Sequence, residues 1–150
     1  MALWHPIMNK EGLPRFLAGM GFKQVNQRWS WGASDDERQI VMLFVWTDQI
    51  LNHDGKRYVE IQRSPEKQIK ADDRHGRTER EKHIKLIRSG YTCYLVMQKA
   101  KDPKASPRER EWYSERLSTA GEIIELENGR RMIEITGKVE ADELRPTSLG

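Results

Sequence analysis

The chain has 150 residues, 33% charged and 37% apolar, with a net charge of +3, a size and composition that allow one domain with one core and not two. No apolar run exceeds seven residues, against the roughly 20 that a membrane-spanning helix needs, and the opening Met-Ala-Leu-Trp-His-Pro lacks the basic and long apolar regions of a secretory signal. The single Cys93 excludes an internal disulfide, so a reducing cytoplasm is the expected compartment, no membrane is an expected partner, and Cys93 is expected to be a buried small hydrophobe.

Trp4 to Met8 reads as a short opening strand. Asn9 then stands as an N-cap, with Pro14 early in a helix whose Leu13, Phe16, Leu17 and Met20 recur at helical spacing and which Gly21 ends. Lys23 to Ala33 predicts a strand, Ser34 to Arg38 a polar turn, and Gln39 to Trp46 a second strand in hairpin with the first. Seven successive apolar residues in that second strand imply burial on both faces. Asn52-His53-Asp54-Gly55 is a turn signal before a third strand, Tyr58 to Ile61. Ser64 to Gly76 is polar and aperiodic and reads as a loop. Thr78 caps a helix with the stripe His83, Ile84 and Ile87, closed by Gly90. Tyr91 to Met97 is a strand, Lys99 to Pro107 a basic loop, and Pro107 to Thr119 a charged helix capped by Ser106 and anchored by Trp112, Tyr113 and Leu117. Glu122 to Leu126 and Arg131 to Ile135 flank Asn128-Gly129, a type I′ hairpin signal. The expected domain is 1–137, followed by a polar, flexible tail over 138–150. This order gives an α+β fold: a strongly bent mixed or antiparallel sheet, or a small open barrel, with about three flanking helices.

The net charge hides an asymmetry. Residues 56–90 carry 11 basic against 6 acidic side chains, residues 99–110 are net +3, and residues 122–143 are net −4. A concentrated basic stretch suits a polyanion, while a surface of mixed signs needs no partner. Alternation puts Trp29 and Trp31 on one strand face, with Trp46 on the neighbouring strand and Tyr58 on the next. Either these rings belong to the core of a β-rich domain, or they line a concave face that stacks bases. In the second case Ser30, Asp48 and Gln49 supply base-edge contacts, and Arg63, Arg77, Arg80, Lys101, Lys104 and Arg108 hold the backbone. The run from Arg77 to Lys82 opens a helix, so its N–H groups and two arginines suit a phosphate. The same run equally suits an ordinary salt-bridged helix, through Arg77/Glu81 and Glu81/Lys85 at i,i+4.

A second pattern points to catalysis. Asp48 or Asp54, followed by Glu60-Ile61-Gln62 at a strand end, resembles a degenerate acidic magnesium site of restriction-type nucleases, with Gln62 where a lysine is usual. Magnesium is expected as a cofactor only under that reading; otherwise none is. His5, His53, His75 and His83 lie far apart beside one cysteine, so no zinc-site spacing is present, and neither a Walker loop nor G-x-G-x-x-G occurs.

Trp29-Ser30-Trp31-Gly32, the apolar strand ending Val45-Trp46, the helix start Gly76-Arg77-Thr78-Glu79-Arg80, and Ala100-Lys101-Asp102-Pro103 together resemble the PUA-like group of domains (EVE, ASCH and SRA type) over roughly residues 22–135. More narrowly they resemble the DNA-reading modules found beside HNH nucleases in modification-dependent restriction systems. The resemblance implies a small barrel with a pocket for one base near Trp29, Trp31 and Trp46, and no catalysis by the module itself. No nuclease accompanies it here, which leaves a truncated module, a stand-alone reader, or a phage or mobile-element protein that acts on host defence. The leading expectation is thus a non-enzymatic DNA- or RNA-binding module, in one form a reader of a modified or flipped base. The alternatives are a magnesium-dependent nuclease, and a protein-interaction module that docks through the acidic hairpin of Glu122, Glu125, Glu127 and Glu134.

Overall fold

The structure is a computed structural model and describes residues 8–9, 12–22, 31–63, 71–105 and 109–145, with the backbone alone described over 8–9 and 71–76. In chain order its elements are β1 (Met8–Asn9), α1 (Leu13–Gly19), β2 (Gly32–Asp35), β3 (Ile40–Trp46), a 3-10 turn (Thr47–Gln49), β4 (Ile50–His53), β5 (Lys56–Gln62), α2 (Ala71–Arg88), β6 (Thr92–Ala100), β7 (Arg110–Ser114), β8 (Arg116–Glu125), β9 (Arg131–Glu140) and a second 3-10 turn (Ala141–Leu144).

The apolar run of β3 is central because it serves two cores. Val41, Leu43 and Val45 join Ile84 of α2, Val59 and Ile61 of β5, and Leu95 and Ile133. Ile40, Met42 and Phe44 join Leu13 and Leu17 of α1 with Val96, Tyr113, Leu117 and Leu144. Burial on both faces is what an unbroken apolar strand requires. β3 pairs antiparallel with β2 and parallel with β6, from Ile40↔Thr92 to Trp46↔Gln98, and α2 lies in the connection that parallel pairing demands. The other edge of β6 is shared by β7 and β8, and β8 leads through β9 to β5 and β4. The result, among the described residues, is an α+β fold with a nine-stranded mixed sheet that does not close into a barrel and two α-helices.

Several expectations are corrected. The helix predicted over Pro107 to Thr119 is two strands, β7 and the start of β8, hinged at Glu115. Tyr113 and Leu117 are both buried in the same core, so a strand–bend–strand reproduces their four-residue spacing without a helix, and pairing of Gln98 with Tyr113 overrides local propensity. The tail does not begin at 138: β9 runs to Glu140, and Ala141 and Leu144 are buried. α2 starts at Ala71 and not at Thr78, which lies exposed inside the helix; its first turns are polar and carry no apolar period. Asn9 belongs to β1, and α1 starts after Gly12 with no side-chain cap bond. The polar turn occupies 36–39, since β2 continues to Asp35. β4 was not foreseen, being a four-residue edge strand. Asn128-Gly129 does sit in a hairpin, but only Gly129 has positive φ, and Gly129 N–H donates to Leu126 O at 2.8 Å while Leu126 N–H donates to Arg130 O at 2.8 Å. That is a three-residue loop with a left-handed glycine, not type I′. Asp54 and Gly55, both at positive φ between paired His53 and Lys56, take the I′ arrangement instead. Trp4 to Ile7 and most of the Lys23 to Ala33 strand lie outside the described residues.

Candidate functional site

Where the sheet fails to close, the carbonyls of Ile61, Trp31 and Phe44 converge on one guanidinium. Ile61 lies at a bulge in the β5–β9 pairing, and β4 has already ended at Ile50↔Val59. Trp31 precedes the last β2–β3 pair, Gly32↔Leu43. Arg80 donates through Nη1 to Ile61 O, and through Nη2 to Trp31 O at 2.8 Å and Phe44 O at 3.1 Å. Buried carbonyls need partners, and Arg80 supplies them by spanning the gap from β5 to β2 and β3. It is only 3% exposed. Burial lowers its pKa from 12.5 to about 10, so it remains a cation at neutral pH.

The same stretch of α2 fixes Trp31. Glu79 accepts a hydrogen bond from Trp31 N–H at 2.8 Å, so both backbone polar groups of Trp31 are held by adjacent helix residues. The Arg80 guanidinium also lies over the Trp31 ring, 5.7 Å from its centroid. The tryptophan itself stays half-buried. A Cβ on Gly32 would stand 2.4 Å from Met42 O and 3.1 Å from His83 Nδ1, so only glycine lets α2 approach this closely. His83 is buried beside it; burial, and then Arg80 and Lys82, lower its pKa from 6.5 to about 4, and its Nδ1 has no hydrogen-bond partner among the described residues. Cys93 is buried nearby, and burial pushes its thiol up to about 12, which leaves it an unreactive hydrophobe.

Register carries other sequence-predicted residues to this end of the molecule. Trp46 ends β3 opposite Gln98, and β6 continues in pairing with β7 as far as Ala100, just before Lys101 and Lys104. β5 ends at Gln62, followed by Arg63, whose carbonyl accepts from Arg77 Nη1 at 3.4 Å. Trp31, Trp46, Asp48, Arg63, Arg77, Lys101 and Lys104 therefore share the carboxyl end of the β3–β6 pair. Trp46 and Arg77 are half-buried, whereas Asp48, Arg63, Lys101 and Lys104 are exposed. In the described part of the basic turn, Lys101 N–H donates to Glu109 O at 2.9 Å and Lys104 N–H to Asp102 Oδ1 at 3.0 Å. Lys99 and Lys101 face Glu111 and Glu109 at 3.6 Å, in exposed pairs that hold little energy.

Other candidates lie elsewhere. Tyr58 is 4% exposed and stands edge-on to His53 with centroids 6.0 Å apart. Arg80 faces the interior and not a phosphate. Trp29, Ser30 and Arg108 lie outside the described residues. The four residues of the nuclease pattern are not brought together. Asp54 occupies the β4–β5 turn, at the opposite end of β5 from Gln62, and pairs with His53 at 3.5 Å. Glu60 is buried against Arg130 at 2.6 Å. Gln62 Nε2 donates to Glu81 at 2.8 Å, and Arg131 Nη1 meets the other Glu81 oxygen at 3.1 Å. Burial pushes the Glu81 carboxyl up, but these bonds outweigh it and hold the group below its ordinary value. Glu81 thus bonds across to β5 and β9, and not to Lys85 along the helix. Among the described residues no three His, Cys, Asp or Glu side chains are grouped to hold a metal ion. In the acidic hairpin, Glu125 pairs with Arg131 at 3.2 Å, while Glu122 and Glu127 are exposed.

Glu79 is the contributor that the sequence did not flag. The stripe His83, Ile84 and Ile87, continued back by one turn, lands on Glu79 and Arg80; a charged residue on an apolar stripe is the signal that it serves the interior. No helix among the described residues is long and apolar enough to cross a membrane. Comparison with protein-family models, curated proteins and solved structures finds no match to the chain.

Proposed function

We propose that the protein is a nucleic-acid-binding module without chemistry of its own, which meets its ligand at the carboxyl end of the β3–β6 pair. The observation that supports this reading is the shared location of Trp31, Trp46, Arg63, Arg77, Lys101 and Lys104. An aromatic side chain whose backbone is already held by Glu79 and Arg80 offers a flat stacking surface at low ordering cost. Exposed cations on two separate segments, Arg63 after β5 and Lys101 and Lys104 after β6, with the half-buried Arg77 of α2 beside Arg63, suit a phosphate chain and release its counterions. Arg80 is then part of the frame, and Asp48 is the candidate base-edge contact. The finer reading, a PUA-like reader of a modified base within a restriction–modification system, rests on the sequence resemblance and adds a preference for a modified duplex.

Fluorescence anisotropy with labelled single- and double-stranded DNA and RNA, including a methylated duplex, at two salt concentrations tests this reading. Salt-sensitive binding is expected, with a weaker salt dependence in Arg63→Ala and Lys104→Ala. Absence of binding at low salt would overturn it, and cleavage on addition of magnesium would favour the nuclease alternative.

A further inference from the structure

We propose that the outward face of α2 is a phosphate track, on which Lys82, Lys85 and Arg88 carry the backbone of a nucleic acid away from the carboxyl end of the β3–β6 pair; the proposal rests on the nucleic-acid reading above. In the sequence, Glu79-Arg80-Glu81-Lys82 suggests a helix whose charges cancel along its own surface. The fold sorts them by sign instead. Glu79 is buried and accepts from Trp31 N–H at 2.8 Å. Glu81 takes Gln62 Nε2 at 2.8 Å on one oxygen and Arg131 Nη1 at 3.1 Å on the other. Both acids are thereby committed to the sheet. Of the described side chains of α2, the exposed ones are Thr78, Lys82, Lys85 and Arg88, three cations and no acid.

Residues three apart are neighbours on a helix surface. Lys82, Lys85 and Arg88 therefore form one row, about 9 Å long at the helical rise per residue. Like charges in such a row repel and cost a helix some stability. This helix carries them because Glu79, Arg80 and Glu81 pin it to β2, β3, β5 and β9. The backbone that presents the row is thus fixed before any ligand arrives, which lowers the ordering cost of binding. A row of cations fits a ligand whose own charge repeats along its length, and a phosphate chain has that form. Position bounds the row at both ends. It begins five residues past Arg77, whose Nη1 reaches Arg63 O at 3.4 Å, and so continues the cations at the carboxyl end of the β3–β6 pair. It stops at Arg88, because Tyr91 OH donates to Asp36 at 3.0 Å and brings the exposed acids Asp36 and Glu37 to that end of the helix. A phosphate chain is repelled there and leaves the surface.

The test uses the full chain, a labelled single strand and a labelled duplex of about 16 nucleotides, and two triple variants that remove the same charge. One is Lys82→Gln with Lys85→Gln and Arg88→Gln. The other is Lys56→Gln with Arg57→Gln and Lys138→Gln, three exposed cations on β5 and β9. The α2 variant is expected to bind at least roughly tenfold more weakly at moderate salt, with a log–log salt slope flatter by about 0.7 to 0.9 for each phosphate no longer neutralised. The β5–β9 variant should stay within about threefold of wild type and keep its slope. Urea midpoints of both variants report their folding, and the single pair Lys85→Arg and Lys85→Glu gives a second reading: the first should bind as wild type does, the second more weakly. Unchanged affinity and slope in the α2 variant, or an equal loss in both triple variants, would overturn the proposal and leave the nucleic-acid reading standing. An α2 variant that keeps oligonucleotide binding but loses binding to vesicles of anionic lipid would also overturn it, and would assign the face to a membrane surface. Failure of the wild type to bind either probe at low salt would overturn the nucleic-acid reading as well.

Discussion

The β2–β3 hairpin is held at its two ends by two arginines that make similar bonds in opposite surroundings. At the turn end, Arg38 donates to Leu144 O at 2.5 Å and Met20 O at 2.5 Å, and so ties the C-terminal 3-10 turn and the end of α1 to the hairpin. It has its own counterion, Asp35 at 2.6 Å, and its side chain is 29% exposed. The Arg38 side-chain bond holds the Asp35 carboxyl below its ordinary value. At the open end, Arg80 donates to three carbonyls, is buried, and has an Nε with no partner among the described residues. A half-solvated guanidinium with a bonded carboxylate is a staple that water can partly replace. A buried one that satisfies buried carbonyls is part of the core, and here it also backs a half-exposed tryptophan.

That contrast is broken most strongly by removing Arg80. Arg80→Ala should cost about 3–5 kcal/mol in urea unfolding, because the buried carbonyls of Ile61, Trp31 and Phe44 lose their donor. A loss below about 1 kcal/mol would mean that water replaces it as it does at Arg38. His83 makes the buried end sensitive to acid. Its folded pKa of about 4 lies below its ordinary 6.5, so between these values the unfolded chain binds a proton that the folded chain refuses. Its contribution is complete above pH 6.5 and is lost as the pH falls toward 4, by about 3 kcal/mol in all. His83→Gln should flatten the slope of stability against pH in that window, and an unchanged slope would show that His83 protonates freely in the folded protein.

Gly32→Ala should cost about 1–3 kcal/mol, because the added methyl meets backbone oxygen at 2.4 Å and α2 must shift; a variant as stable as wild type would show that the helix is not clamped there. Arg38→Ala should cost only about 1–2 kcal/mol at the exposed end, read from the same urea curves. Smallest of all, Arg63→Ala and Lys104→Ala should leave stability within about 0.5 kcal/mol and lower the salt slope of single-strand binding by about 0.7 for each phosphate that the variant no longer neutralises. An unchanged slope would remove those residues from the interface.

The same contrast explains which parts were legible in the chain. β3 was readable because seven apolar residues in a row have few other uses, and Gly21 and Gly90 marked helix ends where the next N–H turns back: Phe22 N to Leu17 O at 2.9 Å and Tyr91 N to Leu86 O at 3.1 Å. β7 and β8 were not readable, because Tyr113 and Leu117 imitate a helical period and only their pairing with β6 and β9 decides the matter. The grouping of Trp46 with Lys101 depends on a parallel register that no local pattern encodes. Its neighbours Arg77 and Lys82 make Arg80 resemble a surface cation, while its place one turn before Ile84 puts it on the buried stripe. Strand order groups Tyr58 with the tryptophans, while its strand partners, Leu51 and Glu134, follow from pairings that no local pattern encodes.

The two hairpin ends can be compared in one experiment. Amide and indole resonances of the labelled protein would be followed while a single-stranded oligonucleotide is added, with the Trp31 indole assigned through Trp31→Phe. Shifts should concentrate at Trp31, Trp46, Arg63, Arg77, Lys101 and Lys104, and leave Asp35, Arg38 and Leu144 in place. Shifts centred on the Arg38 end, or none at any residue, would contradict a nucleic-acid interface at the carboxyl end of the β3–β6 pair.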